Sequence, residues 1–283
     1  MFNSNNSLSV VQKICLAGLL TALATVCQKV FAINYIPVVP FLRISFGGPA
    51  VIIFASIFLG PIYGMVVGAV SDLFGYLVFD PKTMGFFPQI TAIYLVLGFV
   101  PYFIYNFLKA KSTNKAMLIA KYSLIVLLYT AVALYICLNN EIKLYGTTHT
   151  MTLTIRISCL VGMALLTIIS EIFILLIRKQ NRLKNIDFNI DSLNIALIII
   201  EVLVMVLFGT LMKGFAFGFE TYPAILLCQV VVMFVNIPLN LFLVSLFLTI
   251  AKRYRKWLQK KKKERILKKN QPTAKSMFPV MLN

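Results

Sequence analysis

Acidic residues are scarce in this sequence. Nine Asp and Glu stand against 27 Lys and Arg, and charged residues of both signs make up only 13% of the chain. A soluble domain carries about 25% charged residues, so a water-soluble globule is excluded. Histidine occurs once, as His149 in a polar stretch, which argues against a histidine-based metal site. The five cysteines, Cys15, Cys27, Cys137, Cys159 and Cys228, fall in apolar runs and form no C-x-x-C pair. They read as small hydrophobes in helix packing. No P-loop is present, so the chain does not bind and hydrolyse ATP in that way. Neither a Ser-His-Asp set nor a metal-ligand cluster can be assembled, so the chain reads as a non-enzyme that needs no cofactor. The first residues lack the basic region and cleavage site of a signal peptide, and the run from Val11 onward is expected as a retained helix.

What is abundant is hydrophobicity, at 60% of residues. Several apolar runs reach the roughly 18–20 residues that cross a bilayer. They are continuous rather than alternating, which excludes a β-barrel. The expected fold is an all-α polytopic membrane protein, a helical bundle of about eight transmembrane helices. These are expected at 11–32, 44–59, 61–79, 89–108, 117–138, 156–177, 193–213 and 223–251. Gly60-Pro61 leaves only a very short turn between the second and third. Pro37 and Pro40 mark an ordered loop before the second.

The net charge of +18 is concentrated near the C-terminus. From Lys252 to Lys275 there are 12 Lys and Arg against Glu264 alone, so this tail carries +11 of the total. Beside a membrane helix such a run marks a cytoplasmic flank on anionic lipid rather than a nucleic-acid site. Lys109, Lys111 and Lys115 fall in one expected inner loop, and Arg178, Lys179, Arg182 and Lys184 in another. The loops on the other side are thinly charged. Both termini are therefore expected in the cytoplasm. The organisation expected is a membrane domain over 1–251 and a basic cytoplasmic tail over 252–283.

Gly60, Gly64, Gly68 and Asp72 are spaced four apart and share one helix face. Gly-xxx-Gly lets two backbones approach closely, so Asp72 should point into protein rather than lipid. A carboxylate there is costly and has a partner or a ligand. It lies about 11 residues, or roughly 16 Å, along the helix from Pro61. Arg43 is within reach, so the two are read either as a structural pair or as ligand-contacting groups. Glu171 and Glu201 are the other acids inside helices. Glu171 is read as a partner for Arg178 or Lys179, and Glu201 as either structural or proton-binding. The stretch 80–91 combines Phe86, Phe87 and Pro88 with Gln89 and Thr91, which suits a flat heteroaromatic ligand or an interfacial aromatic belt. In the first helix Ala17, Gly18, Thr21 and Ala22 form a small-residue surface for a helix contact, within the chain or with a partner.

Taken in order, several features resemble one family. They are the small-residue first helix, Arg43-Ile44-Ser45-Phe46-Gly47, Gly60-Pro61 with Gly64 and Gly68, Asp72-Leu73-Phe74-Gly75, and Phe86-Phe87-Pro88. Over residues 11–108 the chain resembles the substrate-binding S component of an energy-coupling factor (ECF) transporter of the folate family. Such S components usually have six helices. The resemblance therefore implies a six-helix core plus two extra helices, with 117–178 as an insertion. It implies a vitamin ligand, folate foremost, bound near the outer face of a bacterial cell membrane. It also implies docking on a shared transmembrane coupling subunit driven by two ATPase subunits. The ligand-site residues it implies are Arg43, Ser45, Phe46, Asp72, Phe86, Phe87, Gln89 and Gln229. The docking surface it implies is Ala17, Gly18, Thr21 and Ala22. Gln229 departs from the family's pattern, where a basic residue is expected near that place. Two other readings compete: a stand-alone secondary transporter in which Asp72 and Glu201 exchange protons, and a membrane enzyme acting on lipid.

Overall fold

The computed structural model describes residues 8–30, 32–33, 44–45, 47–79, 85–110, 115–138, 141–144, 147–150, 152–183, 190–219 and 222–270. Its helices are α1 (Val10–Lys29), α2 (Gly48–Leu59), α3 (Pro61–Phe79), α4 (Pro88–Ala110), α5 (Lys115–Leu138) and α6 (Leu153–Leu183). A further continuous helix comprises α7 (Ile190–Ile200), a π-helical segment (Glu201–Phe208) and α8 (Gly209–Phe217), followed by α9 (Tyr222–Asn270). Two small antiparallel hairpins interrupt the helices. One pairs β1 (Ala32–Ile33) with β2 (Ile44–Ser45), and the other pairs β3 (Glu141–Leu144) with β4 (Thr147–Thr150).

Local chemistry sets several boundaries. Ser9 and Gln12 form a reciprocal capping box that satisfies two backbone donors at the start of α1. α2 is bounded by Gly47 at φ 90° and Gly60 at φ 112°, conformations that a residue with a Cβ rarely adopts. The expected helix over 44–59 consequently begins only at Gly48, and Ser45 lies in a strand opposite Ala32. Pro101 inside α4 removes one backbone donor, and the next amide, Tyr102 N–H, donates to Ser56 Oγ of α2 at 3.2 Å.

Among the described residues seven helices are long and apolar enough to cross a membrane. Their outward faces carry large apolar side chains, among them Leu19, Leu77, Val126, Val161, Leu165 and Leu211. These are the features of a multi-pass membrane protein. Of the eight expected crossings, the one at 44–59 is shorter than expected. Its 12 residues rise about 18 Å, short of a roughly 30 Å hydrocarbon core. Every residue of α2 is buried, so protein rather than lipid surrounds it. It packs against α1, α3, α4 and α9. The last helix also differs from its expected end at 251, because α9 continues through the basic stretch to Asn270.

Two hydrophobic cores divide the bundle. The larger draws mainly on α1, α2, α3, α4, α7 and α9, around Ile52, Ile53, Leu97, Leu193 and Leu241. The smaller draws on α5, α6, the α7–π-helical stretch and α9, around Ile136, Met163, Ile198, Val202 and Met233. A cavity of about 80 Å³ lies within this second core, lined mostly by apolar groups and by Thr167 and Glu171.

Candidate functional site

The glycines of α3 determine where α4 lies. A Cβ on Gly64 would collide with the carbonyl of Gly98, and one on Gly98 with the carbonyl of Gly64. A Cβ on Gly68 would strike the carbonyl of Tyr94. The two backbones are therefore in direct contact over two turns, running antiparallel. The next position on this face is Asp72, which is buried, and its Oδ2 accepts a hydrogen bond from Thr91 Oγ1 at 2.6 Å. Gly64, Gly68 and Asp72 thus do share one face, against Gly98, Tyr94 and Thr91 of α4.

From the other side α1 brings polar groups to the same level of α3. Thr25 Oγ1 donates to the Ser71 carbonyl at 3.2 Å, and Gln28 Nε2 donates to Ser71 Oγ at 3.4 Å. Gln28 is fully buried and packs onto Gly48, and its Oε1 has no hydrogen-bond partner among the described residues. Neither Gln28 nor Ser71 was expected at the site. The available signal was an amide inside an otherwise apolar helix. Lys29 lays its alkyl chain over Gly75.

Aromatic rings close this end of the bundle. Phe86 meets Tyr76 of α3 with ring centroids 5.3 Å apart, and Phe87 meets Phe217 of α8 at 5.0 Å. Gln89 sits in the first turn of α4 with its Oε1 buried and without a hydrogen-bond partner among the described residues. Gln229 is buried in α9. Arg43 and Phe46 lie outside the described residues, as does any Arg43–Asp72 pair. Of the expected docking residues, Gly18 and Ala22 are exposed on α1. Ala17 is buried in the core, and Thr21 is half-buried with Oγ1 donating to the Ala17 carbonyl at 2.8 Å.

The Thr91 hydroxyl is neutral and well placed, so its loss is expected to have a measurable but modest cost. Thr91→Val should lower stability by about 1 kcal/mol, read as a shift in the thermal midpoint in detergent. An unchanged midpoint would mean that another group takes over the Asp72 oxygen.

Two other acids occupy separate centres. Glu201, in the π-helical segment, is fully buried. Asn240 Nδ2 donates to its Oε1 at 2.6 Å, while Oε2 has no hydrogen-bond partner among the described residues. Glu171 pairs with Lys121 of α5 at 2.6 Å, a partner on another helix; of the two expected partners, the Arg178 side chain lies outside the described residues. α5 and α6 lie side by side, which brings a cation of the neighbouring helix to the Glu171 carboxylate. Among the described residues no three His, Cys, Asp or Glu side chains gather as metal ligands.

No family model, curated protein or solved structure matches the chain.

Proposed function

We propose that this chain is the substrate-binding membrane subunit of an ECF-type importer. It binds a vitamin, folate foremost, at the end of the bundle where α3 ends and α4 begins. It then passes the vitamin inward by docking on a shared transmembrane subunit powered by partner ATPases. One observation carries this reading: a single apolar core built mainly from α1–α4, α7 and α9 holds, at one end, polar groups and rings suited to a flat heteroaromatic solute. The buried oxygens of Gln28 and Gln89 supply hydrogen bonding beside the Asp72–Thr91 pair, and the Phe86 and Phe87 rings supply stacking faces. On this reading α5 and α6, which build the second core, are an insertion. The basic end of α9 faces the cytoplasm of a bacterial cell and rests on anionic lipid.

The test is to purify the protein in mild detergent, identify any co-purifying small molecule by mass spectrometry, and titrate folate, 5-formyl-tetrahydrofolate, riboflavin and thiamine by calorimetry. Co-purified folate and tight binding are expected. A second expectation concerns docking. Gly18→Trp should abolish co-purification with the coupling and ATPase subunits and leave vitamin affinity unchanged, because Gly18 is exposed and a Cβ there meets nothing within 4 Å in this chain. Retained assembly would move the docking surface elsewhere.

Glu201 favours a second reading, a proton-coupled secondary transporter. A fully buried carboxylate on a π-helical segment, with one oxygen bonded by Asn240, is the kind of group such a carrier uses. Uptake in a host without ECF subunits, abolished by a protonophore, would establish it in place of the first.

A further inference from the structure

Lys213 lies in a helix that is otherwise almost entirely apolar, and it is half-buried. A lysine at such a place is costly and ordinarily has a partner. Among the described residues no carboxylate pairs with it. Its direction follows from the register of α8 on α4. A Cβ on Gly209 would lie 3.9 Å from the Ile93 side chain, and Phe217 meets Phe87 at 5.0 Å between ring centroids. Gly209, Lys213 and Phe217 are successive positions four apart, so they share the face that α8 turns to α4. Lys213, midway between them, stands level with the stretch between Phe87 and Ile93. That stretch contains Gln89, whose buried oxygen is without a partner among the described residues, and Thr91, which holds Asp72. The one polar position of α8 on this face therefore stands level with the proposed ligand end.

We propose that Lys213 receives a carboxylate of the bound solute and that the site consequently selects organic acids over their amides and over vitamins without a carboxylate. This inference rests on the reading that the solute sits at this end of the bundle. The ammonium group supplies charge, and the amide of Gln89 and the Phe87 and Phe217 rings border the body of the ligand. Asp72 stays engaged with Thr91.

The experiment uses the full-length protein in detergent and calorimetry with folate, biotin and pantothenate, the amide of each, and riboflavin and thiamine. The wild type is expected to bind one of the acids and to bind its amide at least about tenfold more weakly, as loss of a charge-assisted bond implies. Lys213→Met should weaken binding of the acid by a similar factor and leave the amide unchanged, and Lys213→Arg should restore most of the affinity. If Lys213→Met does not fold, Lys213→Gln replaces it, and the acid-to-amide ratio of the wild type is decisive in any case. Equal binding of acid and amide overturns the inference, as does an equal loss for both in Lys213→Met. Binding of riboflavin or thiamine alone overturns it while leaving the site where it is proposed. Binding of nothing in the panel defeats the location of the site and the role of Lys213 together.

Discussion

Gly98→Leu is expected to prevent the native packing of α3 on α4. The carbonyl of Gly64 occupies the space a Cβ at position 98 needs, and the obstacle is backbone rather than a side chain that could rotate away. Ordinary overpacking of a core costs about 1–3 kcal/mol, and a backbone-to-backbone obstruction belongs at or beyond the upper end. Displacing α4 would also separate Thr91 from Asp72 and shift the Phe87–Phe217 contact. Gly98→Leu should therefore yield little monodisperse protein in detergent. Gly98→Ala should fold with a thermal midpoint well below the wild type. Gly18→Leu is the control: nothing lies within 4 Å of a Cβ there, and its midpoint should stay within about 0.5 kcal/mol of the wild type. Because Gly64 and Gly98 obstruct one another, the Gly64→Ala and Gly98→Ala losses should not add. If Gly98→Leu were as stable as Gly18→Leu, the crossing would have to be looser than described.

The second large effect concerns Glu201 and Asn240. Asn240→Leu removes the donor from a carboxyl group that has no other hydrogen-bond partner among the described residues, at full burial. The loss should be about 3 kcal/mol, because desolvation of the stranded group is then uncompensated. Glu201→Gln keeps an acceptor for Asn240 and should cost less. Replacing both residues by leucine should recover most of the stability, since two apolar groups leave nothing unsatisfied. Chemical or thermal unfolding of the two single variants and the double variant closes the cycle. A double variant as unstable as the sum of its parts would show that the two side chains act independently.

Much of the site's framework was legible along the chain because it depends on periodicity. Four-residue spacing placed Gly64, Gly68 and Asp72 on one face, and that face is the one against α4. Long apolar runs located α3, α5 and α9 within a few residues at their starts. What the spacing could not supply was the identity of the partner. Asp72 meets Thr91, nineteen residues on, through the antiparallel packing of two helices. Glu171 meets Lys121, fifty residues back, on a different helix. Gln28 and Lys213 gain their interest only from what α3 and α4 bring beside them. α2 was read as a crossing because its composition is apolar, but composition does not distinguish a helix lining lipid from one enclosed by four others.

The sequence by itself determined that this is a multi-helix membrane protein with a strongly basic C-terminal end. Those properties follow from local hydrophobicity and charge, which need no neighbour to be expressed. The tertiary structure decided which helix sits at the centre, that two cores share α7 and α9, and which polar groups meet at one end of the bundle. Such outcomes depend on contacts between residues far apart in the chain. In this protein those contacts are made by glycine faces and buried hydrogen bonds, whose partners become defined only when the helices pack.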